Sequence, residues 1–383
     1  MAKHRPEPEL PPCYALVLPG LEEVAAAEIT QDLRGEVRKT GRGLVVFRVS
    51  TIDRDVLRLR TTEDIFLYAW GTDQLTYRAV DLDKIQRWTA REPDWDHLLR
   101  LHHAVRPRPR GRPTYRLVTQ MSGQHGYLRK HAHEALAKGL AGKLPASWRH
   151  AEENASVEVW LTIQGNTAIC GVRLSDRTMR HRSWKVEHLP ASLRPTVAAA
   201  MVRLAGTGPG QVVVDPMCGA GTLLGEQVEA LRPYQRQGVR LLGGDVDRNA
   251  VRAAGINLRR LGPKRCTLWP EADEEEASAT PVLLARWDGT RLPLASAAVD
   301  RIVSNPPFGK QLGEPEEIAA LYRQMAVEYD RVLQPGGRAV LLVGDLPLLR
   351  EAVRRVGWKS LQQVSVRVLG QRAVISVWRK PER

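Results

Sequence analysis

The second half of this 383-residue chain predicts an α/β fold, with a parallel sheet covered by helices on both faces. Three observations carry that reading. Continuous apolar runs recur at Gln211–Val214, Val239–Gly243, Pro281–Ala285, Arg301–Val303 and Ala339–Val343, with helical stretches mostly between them. Runs without polar alternation belong to strands buried on both faces. The first run leads directly into a glycine-rich turn and a helical stretch at Leu223–Leu231, and an aspartate or asparagine follows four of the strands.

The first half predicts a different, α+β rhythm. Tyr14–Leu18 is a short apolar strand broken by Pro19 and Gly20, and Leu21–Asp32 has helical periodicity. Gly43–Val49 is a strand and Asp53–Leu59 is helical, completing a small β-α-β-α unit that ends near residue 75. A second segment, residues 76–185, opens with helices at Ile85–Ala90 and Asp96–Ala104. Val105–Pro113 places Arg106, Arg108, Arg110 and Arg112 between prolines and Gly111, so a helix is prevented and an exposed basic loop is expected. Tyr115–Gln120 is a strand. Tyr127–Leu144 is a helix with Arg129 and Lys130 on its polar positions. Val157–Ile163 and Ala168–Leu174 flank a turn at Gly165-Asn166. Arg177, Arg180, His181, Arg182 and Lys185 then form a basic stretch. The third segment, residues 186–383, starts near His188, and its first helix is Leu193–Leu204. The acidic run Glu271–Glu276 is expected in an exposed loop, because like charges need solvent.

Composition narrows the partners. The net charge is +14 and arginine outnumbers lysine, which favours a polyanion that can be held through forked guanidinium contacts. Arg106, Arg108, Arg110, Arg112, Arg129 and Lys130 are the candidate contacts. No apolar run approaches the ~20 residues that span a bilayer. The segment Met1–Pro12 is polar and proline-rich and lacks the apolar core of a signal peptide, so a cytoplasmic protein without a membrane partner is expected; a monomer is the separate expectation. The four cysteines, Cys13, Cys170, Cys218 and Cys266, are widely separated and read as free thiols in a reducing compartment. Neither they nor the ten histidines form a metal-ligand pattern.

The chemistry concentrates at the strand ends. Val212–Val214 is followed by Asp215-Pro-Met-Cys218-Gly219-Ala-Gly221-Thr222, a strand, turn and helix in which glycines admit a ligand close to the backbone. The third glycine of a dinucleotide fingerprint is missing, and Asp215 at the strand end suits a ligand with a positive end. The next strand ends in Asp245-Val-Asp247, where a carboxylate can accept both hydroxyls of a ribose. Asp288-Gly289 follows the strand after that and can take an adenine amino group. Three such carboxylates in succession fit S-adenosylmethionine better than a dinucleotide, with no metal.

The strand Asp300–Ser304 ends in Asn305-Pro306-Pro307-Phe308. The prolines remove N–H donors and leave acceptors free, and the Asn305 oxygen is another acceptor. Together they can hold an exocyclic amine with its lone pair aimed at a methyl carbon, while Phe308 stacks on the base. No cysteine follows the motif, which argues against a covalent pyrimidine mechanism. Cys218 is read as packing in the cofactor turn.

These motifs, with Leu189-Pro-Ala-Ser-Leu-Arg-Pro195, resemble those of the THUMP-containing RNA guanine-N2 methyltransferases. The resemblance implies a Rossmann-like S-adenosylmethionine-dependent methyltransferase domain at 186–383. It implies a THUMP RNA-binding domain at 76–185 and a ferredoxin-like domain at 1–75. By the same resemblance, Asp215, Cys218, Gly219, Gly221, Thr222, Asp245, Asp247, Asp288, Gly289 and Asn305 form the cofactor site. Asp245 would hold the ribose and Asp288 the adenine; Asn305 and Pro306 would hold the target amine, with Phe308 standing where relatives often carry tyrosine. The implied partner is tRNA, and the implied product is N2-methylguanosine at position 6 of the acceptor stem. Another tRNA position, ribosomal RNA, an adenine-N6 DNA substrate, a protein glutamine, or an inactive RNA-binding protein remain open alternatives at this point.

Overall fold

The computed structural model describes residues 10–106, 109–176, 178–190, 192–231, 235–269, 279–307, 315–368 and 370–382. The chain forms two compact units: residues 1–17 with 26–179, and residues 18–25 with 180–383.

The first unit contains β1 (Cys13–Val17), α1 (Glu22–Leu33), β2 (Glu36–Gly41), β3 (Leu44–Arg48), β4 (Thr62–Thr72), α2 (Val80–Arg91), α3 (Trp95–Val105), β5 (Thr114–Ser122), α4 (Arg129–Leu140), β6 (Arg149–His150), β7 (Val157–Gln164) and β8 (Thr167–Arg173), and α5 (Thr178–His181) follows. Its strands form one eight-stranded sheet in the order β2-β3-β1-β4-β8-β7-β5-β6. The expected division at 75/76 runs across this sheet, because β4 pairs with β8 along Phe66–Thr72. The strand β4 went unread although its apolar run Ile65–Trp70 carries the signal of a strand buried on both faces; Ile65, Phe66, Leu67 and Trp70 are all buried.

A buried ionic cluster fastens β4 to β8 and β7. Arg173 Nε donates to Asp64 Oδ1 at 2.8 Å, and its Nη1 donates to Glu158 Oε2 at 2.9 Å. Ser175 Oγ also donates to Asp64 Oδ1 at 2.8 Å, and the guanidinium lies 5.2 Å from the centre of the Trp160 ring. Such a group is stable only while every charge keeps its partner.

The second unit contains α6 (Pro195–Ala205), β9 (Val212–Asp215), α7 (Thr222–Ala230), β10 (Arg240–Asp245), α8 (Arg248–Arg259), β11 (Cys266–Trp269), β12 (Thr280–Arg286), β13 (Val299–Ser304), α9 (Pro315–Val332), β14 (Leu333–Val343), α10 (Leu346–Arg355), β15 (Lys359–Val368) and β16 (Gln371–Arg379). The sheet order is β11-β12-β10-β9-β13-β14-β16-β15. The six strands from β11 to β14 in that order are parallel. The last two join by antiparallel pairing and are not legible in the sequence. Strand β15 carries Ser360, Gln362, Gln363 and Ser365 on a mostly exposed edge, which masks its strand character. Apolar clusters cover both faces of the sheet, one around Val213, Leu241 and Val340 and one around Val214, Ile302 and Leu341.

Helix starts follow local chemistry. Pro195 occupies the first turn of α6, Asp247 caps α8 by accepting from Asn249 N–H at 2.8 Å, and Asp345 caps α10 by accepting from Leu348 N–H at 2.9 Å. All four cysteines are buried and free. Among the described residues no helix is long and apolar enough to cross a membrane. The acidic run Glu271–Glu276 lies outside the described residues.

Replacing Asp64 by alanine would leave the Arg173 guanidinium buried with half its partners. We expect a loss of about 3–5 kcal/mol in chemical denaturation.

Candidate active site

The parallel strands bring their carboxyl ends to one edge of the sheet. The order of connection reverses between the neighbouring strands β9 and β13, which is where α/β sheets open a crevice. A cavity of about 410 Å³ lies there, a volume usual for small-molecule sites. Asp215, Cys218, Gly219, Thr222, Asp245, Asp288, Gly289 and Asn305 line it. Gly221, Asp247 and Pro306 do not: Gly221 precedes α7 in the left-handed region (φ 75°), Asp247 is the α8 cap, and Pro306 is buried. Phe308 lies outside the described residues.

The turn after β9 is pinned from several sides. Cys218 N–H donates to Gly244 O at 2.9 Å and Gly219 N–H to Asp245 Oδ2 at 3.0 Å. Trp287 Nε1 donates to Pro216 O at 2.9 Å. Gly221 is required because a Cβ there would stand 3.0 Å from that of Ala254, on top of the unfavourable φ. A Cβ added at Gly219 meets nothing within 4 Å, so the turn faces open space there.

The carboxylates differ in state. Asp215 is 2% exposed, and its Oδ2 has no hydrogen-bond partner. Burial pushes its carboxyl well above the usual range, and the neighbouring Asp245 charge adds to the rise. An unpaired buried acceptor of this kind is costly unless a cation or donor completes it. Asp245 is half-buried and accepts from Gly219 N–H and, at 3.0 Å, from Asp247 N–H. Each of its oxygens keeps a second lone pair for a hydroxyl. Asp288 is exposed, and hydrogen bonds from the Thr290 hydroxyl at 2.7 Å and backbone at 2.8 Å hold its carboxyl below the usual range. Burial and the two carboxylates push the Cys218 thiol well up, so it stays protonated and non-nucleophilic. The Asn305 side-chain oxygen, like Asp215 Oδ2, is buried without a partner. One cavity therefore presents an unfilled carboxylate at the end of β9 and an unfilled amide oxygen at the end of β13. It can hold a cationic group and an amine at adjacent strand ends.

Sequence reading missed the fasteners of the cavity wall formed by Leu189, Pro190, Ser192 and Leu193. Asn257, fully buried, accepts from Val186 N–H at 2.9 Å and Glu187 N–H at 2.8 Å. It donates to Glu187 O at 3.0 Å and Ala220 O at 2.9 Å. All four of its hydrogen-bonding positions are used to join the wall to the turn. A signal existed: Asn257 sits on the apolar stripe Ala250, Ala253, Ala254 and Leu258 of α8. Within the basic stretch read from the sequence, Arg182 and Lys185 are buried. Arg182 Nε meets Glu226 Oε1 at 2.7 Å, and Lys185 Nζ donates to Leu193 O at 2.8 Å. Burial pulls the Lys185 ammonium down to about 8.

In the first unit, the expected basic loop divides. Arg106 is committed: its Nε donates to Leu174 O at 2.7 Å and its Nη1 pairs with Asp176 at 2.8 Å, so it is a fastener and not a spare cation. Arg108 and Arg177 lie outside the described residues. Arg110, Arg112, Arg129 and Lys130 are exposed. Among the described residues no group of three His, Cys, Asp or Glu could hold a metal ion.

The chain matches the family described as the RMKL-like methyltransferase domain over residues 182–373. It is 33% identical over 232 residues to the Mus musculus tRNA (guanine(6)-N(2))-methyltransferase THUMP3, covering 60% of this chain and 44% of that protein. It therefore spans less than half the length of that relative. The tRNA (guanine(6)-N2)-methyltransferase of Thermus thermophilus is 28% identical over 342 residues, 88% of this chain and 90% of the other. The crystal structure of TrmN from Thermus thermophilus superposes with a TM-score of 0.74 at 24% identity, covering 96% and 99% of the two chains.

Asp215 supports a direct test. Its folded value lies above the ~3.9 of an unfolded aspartate. As pH rises past ~3.9 the unfolded chain loses its proton first, so folded stability falls until the folded group also ionises. Asp215→Asn should therefore unfold at higher denaturant than wild type near neutral pH, with the gap closing below about pH 4.

Proposed function

The chain belongs to the family of the RMKL-like methyltransferase domain, and from that premise we propose that it methylates the exocyclic N2 amine of a guanosine in tRNA, with S-adenosylmethionine as donor. We place the product at position 6 of the acceptor stem, the position printed in the names of the mouse and Thermus relatives. Residues 1–75 are read as a ferredoxin-like domain and residues 76–185 as a THUMP domain, their strands sharing one sheet, and the chain as a cytoplasmic monomer.

The observation that carries the reading is the pair of unfilled buried acceptors, Asp215 Oδ2 and Asn305 Oδ1, in one cavity. The residues present fit the donor. Asp215 would face its cationic end, Asp245 its ribose hydroxyls and Asp288 its adenine amine, while the open space at Gly219 admits it close to the turn. When bound, the donor supplies a methyl carbon on a good leaving group. Asn305, with the Pro306 carbonyl, then accepts the two N–H bonds of the target amine and fixes its lone pair toward that carbon. Such a site needs little acid–base chemistry; positioning and preorganised acceptors carry the rate. Cys218, protonated and packed, takes no covalent part. A guanosine in a duplex must leave its stack before its amine reaches Asn305. The exposed cations Arg110, Arg112, Arg129 and Lys130 favour a polyanionic substrate over a protein one.

Purified protein incubated with methyl-labelled donor and unmodified tRNA transcript, digested to nucleosides, should yield N2-methylguanosine by mass spectrometry. N6-methyladenosine would overturn the base assignment. In the same assay Asn305→Ala should lower transfer about 10²–10³-fold, as for loss of one preorganised acceptor or donor, while donor affinity by calorimetry stays within about twofold. Joint loss of both in a folded variant would contradict the role given to Asn305.

Neutralising Arg110 and Arg112 together should weaken tRNA binding and reduce the salt slope of log affinity by about 1 for each phosphate left without its cation. An unchanged slope would place the RNA elsewhere.

A further inference from the structure

The first unit carries a second feature that the methyl-transfer site does not use. Tyr77, His125 and Tyr127 form an aromatic ladder, with ring centroids 5.1 Å apart for the first pair and 5.2 Å for the second. The ladder runs outward: Tyr127 is buried, whereas Tyr77 is 43% exposed. Tyr77 also sits at φ 65°, a conformation that a bulky residue rarely adopts unless its surroundings impose it.

The surroundings do impose it. Tyr77 O accepts from Gly126 N–H at 2.7 Å. His125 Nε2 lies 2.9 Å from Gly165 O, and since a carbonyl only accepts, that nitrogen carries the proton. The ring hydroxyl of Tyr77 comes so near the chain that a Cβ at Gly165 would stand 3.4 Å from it. The outermost ring is thus set by backbone contacts on its inner side while much of its surface stays in solvent.

Its neighbours are of two kinds. Val80 begins α2 at 49% exposure, and Leu128, at 58%, immediately precedes α4, the helix packed against α2. With Tyr77 they are three of the seven large hydrophobics exposed among the described residues. Interleaved with them are Arg78, Arg129 and Lys130, all exposed. A purely apolar patch would suit a protein partner. An exposed aromatic face with cations next to it in the chain suits a nucleotide, with its π-face and its phosphates.

We propose that Tyr77 is a stacking platform for one unpaired base of the RNA substrate, with Arg78, Arg129 and Lys130 meeting the adjoining phosphates. This rests on the RNA reading of the function above. A paired base hides its faces inside the duplex, so only an unpaired or splayed nucleotide reaches the ring. Every base has a π-face, so the platform registers where an unpaired nucleotide lies and is indifferent to its identity.

The test exploits the unusual backbone. Tyr77→Gly keeps φ 65° without strain and removes the ring, while Tyr77→Phe keeps the ring face. Affinities are measured by fluorescence anisotropy for unmodified tRNA transcript and for a blunt RNA duplex. Tyr77→Gly should bind tRNA about 10- to 100-fold more weakly, the loss of one base stack, with duplex affinity unchanged. Tyr77→Phe should match wild type. In methylation assays Tyr77→Gly should raise KM for tRNA and leave kcat unchanged. Wild-type tRNA affinity in Tyr77→Gly, or equal loss for tRNA and duplex, would overturn the platform while wild-type methylation keeps the enzymatic reading intact. A wild-type chain that neither binds nor methylates tRNA would remove both.

Discussion

Six adjacent strands of the second unit, β11, β12, β10, β9, β13 and β14, run in the same direction. Parallel pairing forces each connection to return across a face of the sheet, so every strand delivers its last residue to one edge. Asp215, Asp245 and Asn305 each stand at the end of such a strand or one residue beyond it, and Asp288 two residues beyond. They are neighbours in space for that reason, although 90 residues separate the first from the last in numbering (305 − 215). The turn, the cavity and the chemistry all follow from that common direction.

The edge is useful because it is left incomplete. Protein interiors seldom tolerate a buried acceptor without a donor, yet Asp215 Oδ2 and Asn305 Oδ1 are both in that state. Their cost is offset in part by hydrogen bonds that fasten the turn and the cavity wall around them. Asn257 uses all its hydrogen-bonding positions between the wall and the turn, Arg182 meets Glu226, and Trp287 donates to Pro216 O. These fasteners hold the unsatisfied atoms in place for a ligand, which is preorganisation in its simplest form.

Arginine serves two purposes in this chain, and burial separates them. Arg173 and Arg106 tie strands and segments of the first unit together through Asp64, Glu158 and Asp176. Arg182 does the same in the second unit. Only the exposed set, including Arg78, Arg110, Arg112 and Arg129, remains available to a polyanion. The net charge of +14 therefore overstates the number of cations offered to a polyanion at any one face.

The sequence by itself determined the parallel sheet, the strand–turn–helix at Asp215–Thr222 and the Asn305-Pro-Pro motif, because those signals are local: apolar runs, glycines and prolines act on their own backbone. It also placed eight of the expected cofactor-site residues on what proves to be one cavity. It did not reveal β15, whose exposed residues resemble a loop; β4 was missed although its apolar run is of the kind that marks a buried strand. Nor could it tell Arg106 from Arg110, or Lys185 from Lys130, since a charge run looks alike whether it meets solvent or a carbonyl. Tertiary structure decided that, by bringing Leu174, Asp176 and Leu193 to some cations and not to others. Asn257 belongs to the same class. Its place on an apolar stripe was visible, but what it holds, Glu187 on one side and Ala220 on the other, are residues 70 and 37 positions away that only folding brings together.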